Sequence, residues 1–461
     1  MNPNKNRVHR MLEAGIVSLL LSLIFSRAAA AQSFDRLIDG VPIERNGALI
    51  EFPFWGGLDR FIPQFVDIDG DGDFDLFFSE ADGRLTFLEN IGTPQAHRFR
   101  FITDHYERLE VNGWFYFVDA DADGDFDLYH ANGNGGLVFR RNIGSPSRAQ
   151  FALVTHELMD SEGATVFSEI TSIPTFADID ADDDVDFFTG LSLGTIVFYR
   201  NVGSPQMPLF KFETDRWQNL LIFSFGKASR SSQPKILPQQ TAHGANGITF
   251  ADLDADGDKD FFYGDLFHNS VYHLQNDGTP QEPEVTAITD TLFPPSQPLI
   301  TLGFNIPRFT DLDADGDLDF LAACLNQDRN HFIFFQNAGN AAAPKLNLVT
   351  NNFLSMVDEG SNSAPALADI DSDGDQDLLI GTLDGQLIFY DNIGTASAPA
   401  FRWLTDAFQN IQLVEFAITP SLVDIDGDGD FDLFVGSFLG KLAFVENRGD
   451  AKHPNFILVT K

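Results

Sequence analysis

Short apolar runs recur along the chain from about residue 60 to its end, each bounded by Gly, Asn or Pro. In every cycle a large apolar residue stands two places before an acidic segment: Phe65, Phe117, Phe176, Phe250, Phe309, Leu367 and Leu422. A Leu or Phe opens the run that leaves the segment, from Leu76 to Leu433. A Gly-containing turn leads to another run, such as Leu85–Leu88. That run ends in Asn-x-Gly in all seven copies, at Asn90, Asn142, Asn201, Asn276, Asn337, Asn392 and Asn447. A last run follows, as in Phe151–Thr155 or Phe456–Thr460. Apolar runs this short between turn residues read as β-strands. Gly supplies the positive φ of the turns, and Pro fixes φ and ends pairing. Each unit therefore predicts four strands, A to D, with the acidic segment between A and B.

Seven such units at intervals of 52, 59, 74, 59, 58 and 55 residues predict an all-β, seven-bladed β-propeller of four-stranded antiparallel blades. A parallel β-helix needs shorter coils, and bead-like domains need linkers that are missing between most repeats. The abundant phenylalanine, 47 residues at fixed repeat positions, reads as packing between sheets. The propeller is expected over residues 32–461. Within it, 32–60 is a closing segment, because Phe34–Gly57 resembles the strand D and D-to-A part of a repeat. This segment is expected to pack against the last blade; an extra partial blade is the competing reading.

The acidic segments carry the candidate chemistry. Each has Asp at positions 1, 3, 5, 7 and 9. The first holds Asp67, Asp69, Asp71, Asp73 and Asp75; the second Asp119, Asp121, Asp123, Asp125 and Asp127. The third holds Asp178, Asp180, Asp182, Asp184 and Asp186; the fourth Asp252, Asp254, Asp256, Asp258 and Asp260. The fifth holds Asp311, Asp313, Asp315, Asp317 and Asp319. The sixth holds Asp369, Asp371, Asp373, Asp375 and Asp377; the seventh Asp424, Asp426, Asp428, Asp430 and Asp432. Oxygens at 1, 3, 5 and 9, a carbonyl at 7 and a turn-forming Gly at 6 are the pattern of a loop folded round one Ca2+. Hard oxygens in number favour calcium over magnesium, and the loops hold no His or Cys for zinc or copper. Position 12 is never Glu, and both flanks read as strands, so these are not EF-hands. Close carboxylate pairs repel by about 1 kcal/mol even in water, a cost that a cation offsets. Asp183 replaces Gly at position 6 of the third loop, which predicts strain or weaker binding there.

Charge and the N-terminus narrow the setting. With 68 Asp and Glu against 29 Lys and Arg, the net charge is -39, which excludes nucleic acid and anionic membrane surfaces as partners. Lys5, Arg7 and Arg10, the apolar run Gly15–Phe25 and the small residues Ala28–Ala31 read as a signal peptide over 1–31, hence a secreted chain without membrane insertion after cleavage. Its loss brings the charge to about -42. Cys324 is the single cysteine, so disulfides do not hold the fold, and it reads as a small buried hydrophobe.

The segments Phe65-Val-Asp-Ile-Asp-Gly-Asp-Gly-Asp-Phe-Asp-Leu76 and Ser421-Leu-Val-Asp-Ile-Asp-Gly-Asp-Gly-Asp-Phe-Asp-Leu433 resemble FG-GAP or VCBS repeats. These repeats occur in the propeller of integrin α subunits and in many bacterial surface proteins. The resemblance covers about residues 60–461. It implies calcium ligands at positions 1, 3, 5 and 9 between strands A and B. The Phe-Gly and Gly-Ala-Pro marks of the integrin version are mostly missing, so integrin-like partners are not implied.

If strands alternate, the A-to-B and C-to-D loops share the calcium face, and the B-to-C and D-to-A connections share the other. The longest inserts there, Thr214–Gly247 with Trp217, Phe223 and Lys227–Arg230, and Asp290–Pro307, are the first places to expect a ligand. The expected role is a non-catalytic binding or adhesion module for an extracellular glycan or protein. The alternative is a secreted polysaccharide-acting lyase or hydrolase. The histidines, His268 and His273 included, form no triad or metal triplet by spacing, and Gly133–Gly136 reads as a hairpin turn rather than a phosphate loop.

Overall fold

In the computed structural model, strand B of every repeat begins at the ninth position of its Asp segment: Asp75–Ser79, Asp127–Ala131, Asp186–Gly190, Asp260–Asp265, Asp319–Cys324, Asp377–Gly381 and Asp432–Gly436. The structure describes residues 38–460 apart from 59, 146, 205, 206, 222–244, 286, 287, 327, 328, 330, 331 and 414. The expected signal peptide lies outside these residues. Val41–Lys461 is one compact unit. Among the described residues the only helices are three single 3-10 turns, and no helix is long and apolar enough to cross a membrane.

The seven predicted blades are all present as antiparallel sheets. Strand A is the edge strand opposite strand D, and in blades 1 to 5 it is innermost: Ile62–Val66, Phe115–Val118, Thr175–Ala177, Ala245–Ala251, Asn305–Thr310, Ala364–Ala368 and Thr419–Val423. Strand B is apolar on both faces because it lies mid-blade and each blade face meets a neighbour; in the first six blades all its residues are buried. Strand C ends at the Asn of Asn-x-Gly in six blades. Six blades also share a bulge where C meets D, as between Phe87 and Leu88.

Two blades depart from four strands. In the fourth, residues 286 and 287 lie outside the described residues, and the described part of the D segment pairs with strand C through a bridge between His273 and Asp290. Val285 at the start of that segment is buried in the core shared with the third blade, and Phe293 and Leu299 of the following Pro-rich insert enter the core shared with the fifth. The sixth gains a hairpin, Ile43–Arg45 and Ala48–Leu49, whose first strand runs parallel to strand D at Phe401–Thr405. The sequence places this N-terminal segment on the last blade; the structure places it on the sixth. The apolar contacts of Ile43 with Ile380, Ile388 and Phe401 decide the site.

How the ring closes is visible in the side chains three places before each first Asp. Gln64 of blade 1 donates to the Phe117 carbonyl and accepts from its N–H, both at 2.7 Å. The Tyr116 hydroxyl of blade 2 donates to the Phe176 carbonyl. Ile248 N–H bridges blade 4 to Ile173, before blade 3. Thr249 Oγ1 donates to the Pro307 carbonyl at 3.0 Å, and Arg308 Nε of blade 5 donates to the Pro63 carbonyl of blade 1 at 2.8 Å. Phe61 and Phe65 of blade 1 pack on Phe332 of blade 5. Blades 1 to 5 thus form a closed cycle of contacts, while blades 6 and 7 share their own core around Ile370, Leu379, Leu433 and Val445.

Candidate metal loops and a polar cavity

The Asp segments fold alike because each side chain is assigned to local backbone donors. At position 1, Asp67 Oδ1 accepts from Gly70 and Asp71 N–H, and Oδ2 from Gly72 N–H at 3.1 Å. The position 5 carboxylate accepts from the N–H of position 7 in all seven loops, at 3.1 to 3.2 Å. Position 6 is left-handed, with Gly φ between 92° and 102°. Asp183 takes φ 69° in the third loop and its N–H still donates to Asp178, at 3.3 Å. The predicted departure therefore leaves the loop shape intact.

Position 9 links each loop to the C-to-D turn. Its Oδ1 accepts from the N–H of the Asn in Asn-x-Gly, at 2.7 to 2.9 Å in every blade. That Asn in turn accepts, through its own Oδ1, from backbone N–H groups two and eight residues on, as Asn90 does from Gly92 and Arg98. The other oxygen accepts from Leu312 N–H in Asp319 and from Ile370 N–H in Asp377, whereas Asp75, Asp127 and Asp186 have a buried Oδ2 without a hydrogen-bond partner. These three residues are 1 to 2% exposed. Position 7 contributes more than the expected carbonyl, since Asp73, Asp125, Asp184 and Asp375 also have a buried, unpartnered side-chain oxygen. In the first five loops carboxylate oxygens of positions 1, 3 and 5 lie within 4.8 Å of one another.

The electrostatics follow from crowding. Burial, then neighbouring Asp charges, raises Asp73, Asp125, Asp184, Asp258 and Asp317 to about 6. Burial raises position 9 further, Asp75 and Asp186 to about 8 and Asp127 and Asp319 to about 7, although the Asn N–H pulls the other way. Buried anionic oxygens with no donor are costly unless a cation meets them. The residues fit a hard divalent cation, with the carboxylates of positions 1, 3 and 5 gathered in the first five loops.

On the opposite face, B-to-C and D-to-A connections border a cavity of about 560 Å³ at blade 2. Its polar lining is Arg108, Glu110, Asn112, His130, Asn132, Asn134, Arg140, His156 and Glu157. Arg140 Nε donates to His130 Nε2 at 3.2 Å, which leaves Nδ1 to donate to the Ala131 carbonyl. Burial lowers His130 to about 4, so it is neutral and both its nitrogens are engaged. The sequence pointed instead to the long inserts. Of these, 222–244 lies outside the described residues, Trp217 is buried between blades 3 and 4, and Phe293 is core. The cavity was missed because it is assembled from connections of two repeats, none of them long.

His268 and His273 lie in separate settings. His268 stacks on Tyr272, and His273 stacks on Phe262 between Asp260 and Asp290. Burial alone lowers the His273 pKa, but its bonds to the two carboxylates outweigh this and the net shift is upward. Cys324 is buried, as expected.

Sequence comparison matches a model of FG-GAP-like repeats at residues 311–380 and 369–435. No curated protein matches the chain. Among solved structures, an Agrocybe aegerita lectin recognising non-reducing terminal N-acetylglucosamine is similar at 16% identity and TM-score 0.32, over 86% of this chain and 94% of the lectin. A periplasmic gluconolactonase of Pseudomonas aeruginosa is similar at 13% identity and TM-score 0.25, over 86% and 94%. A Bacillus licheniformis rhamnogalacturonan lyase is similar at 12% identity and TM-score 0.22, over 86% and 72%. Scores this low carry no inference about ligand or activity.

Proposed function

We propose that this FG-GAP-repeat protein is a secreted, calcium-loaded propeller that acts as a non-catalytic binding module for an extracellular glycan or protein. The buried, unpartnered oxygens at positions 7 and 9 support the calcium part. Calcium takes six to eight oxygens in a flexible loop, and these loops present carboxylates from at least four positions. Bound ions neutralise the loops and, through position 9, fix the C-to-D turns.

The blade 2 cavity carries the binding part. Amides, guanidinium groups and carboxylates around about 560 Å³ suit the hydroxyls of a sugar unit better than an apolar ligand. Among carbohydrates and proteins we favour a glycan on this ground. His130 has no free nitrogen to act as a base, which favours binding over catalysis.

The test is a glycan array probed with calcium-loaded mature protein, followed by Asn132→Ala and Arg140→Ala on any ligand found. A glycan whose binding falls about tenfold or more in both variants, with unchanged melting temperature, is the expected result. Turnover of a bound polysaccharide would replace this reading with the enzymatic one. Absence of bound calcium in the purified protein would remove its metal half.

A further inference from the structure

The residue just before each Asn-x-Gly differs in charge from blade to blade: Glu89, Arg141, Arg200, Gln275, Gln336, Asp391 and Glu446. In blades 2, 3 and 5 the structure brings this register position to position 3 of the Asp loop. Arg141 Nε is 3.1 Å from Asp121 Oδ2, and Arg200 pairs with Asp180 Oδ2. Gln336 Nε2 donates to Asp313 Oδ2 at 2.7 Å. Glu89 acts on Asp69, and Asp391 on Asp371, as like charges. Both arginines also lie over a phenylalanine of their own strand, Arg141 6.0 Å from the Phe139 centroid and Arg200 5.4 Å from that of Phe198.

We infer that Arg141 and Arg200 are built-in cations that make the second and third loops the weakest of the seven calcium sites, the last to fill and the first to empty. The inference rests on the calcium reading above. Each guanidinium takes one oxygen of the position 3 carboxylate; in the third loop it leaves Asp180 Oδ1 buried and unpartnered for the metal. The metal thus keeps a ligand atom but loses part of its charge and faces a fixed positive group. The first, sixth and seventh loops, with Glu89, Asp391 and Glu446 in that place, carry an extra negative charge instead of this cation. Arg100 and Arg402 offset part of it, since they face Glu89 and Asp391 from strand D. The amides of Gln275 and Gln336 leave the fourth and fifth loops between these extremes. The second loop is the clean case, because Gly124 keeps the usual position 6, whereas the third also carries Asp183.

Native mass spectrometry of the whole mature protein against buffered free calcium counts the ions directly. The expected pattern is two sites weaker than the rest by about tenfold. Arg141→Gln moves one ion out of the weak class, and Arg141→Lys leaves it weak. Asp391→Arg moves one ion the other way. Melting temperatures at saturating calcium check that each variant is folded. A single affinity class in the wild type, or an Arg141→Gln titration unchanged from it, overturns the inference while leaving the calcium reading intact. A wild type that binds no calcium fails that reading itself.

Discussion

Blades 1 to 5 and blades 6 and 7 are written in the same repeat yet pack differently. In the first group the side chain three places before the first Asp is Gln64, Tyr116, Thr175, Thr249 or Arg308, and four of these bond directly to the next inner strand. In the second group the same place holds Ala366 and Ser421. Strand A of blade 6 is correspondingly open, with Leu367 55% exposed. Its outer edge carries the N-terminal hairpin, and an apolar cavity of about 520 Å³ runs between that segment and the blade. Apolar packing joins blades of either group. What distinguishes the cycle is a polar belt that sets its closure.

The largest expected effect comes from chelation, which strips both groups of their loops' counter-charge. Melting temperature should fall by about 10 °C or more, with the transition losing cooperativity, since metal binding is coupled to folding. An unchanged transition would reduce the loops to acidic turns. The pH profile sharpens the comparison. Position 9 carboxylates are raised to about 7 to 8 in blades 1, 2, 3 and 5, but Asp377 of blade 6 only to about 6. A raised folded pKa means that the folded chain holds more protons than the unfolded one above pH 3.8 or so. Stability of the chelated protein is therefore greatest at low pH and is lost as pH rises through 6 to 8. Hydrogen exchange should show blade 6 reaching its limit about one pH unit before the cycle. A chelated protein more stable at pH 8 than at pH 5 would contradict these shifts.

Arg308 is the next strongest lever. It is 8% exposed, and its guanidinium bonds Pro63 and Pro307 carbonyls and Thr249 Oγ1. Burial lowers it to about 10, so it remains charged at neutral pH. Arg308→Met should cost about 3 kcal/mol by leaving those acceptors unpaired, whereas Ser421→Ala at the equivalent place in blade 7 should cost less than about 0.5 kcal/mol. Equal losses in urea denaturation would mean that the belt does not distinguish the two groups.

Much of this was legible before the structure. The Asp pattern gave the loops, and the runs from Leu76 to Thr460 gave seven blades, because turn residues and period-bound phenylalanines mark every unit. In blade 4 the run at the register of strand D, residues 285–289, includes 286 and 287, which lie outside the described residues. The belt was present in the sequence as a polar residue at one register position in blades 1 to 5. A polar side chain on an inner strand looks like a pore-lining residue until its partner carbonyl is known. The blade 2 cavity had no linear signal, because its polar residues come from separate connections.

The smallest effect concerns the hairpin that only blade 6 carries. Arg45 donates to Glu359 Oε1 at 2.6 Å and to Asp406 Oδ1 at 3.0 Å, and lies over the Trp403 ring. Tyr390 donates to the same Glu359 oxygen at 2.5 Å. The Glu359 side chain is 1% exposed, and burial raises its pKa against the pull of Tyr390 and Arg45. Arg45→Ala should cost about 2 kcal/mol, chiefly by leaving that carboxylate short of a donor with Arg329 at 3.9 Å. If desolvation is the cause, Glu359→Gln in the same chain should recover part of the loss, and the double variant should be more stable than the two single losses predict. Strict additivity would mean that the hairpin is held by its apolar contacts around Ile43 alone, and blade 6 would then differ from the cycle in its packing and not in its charge.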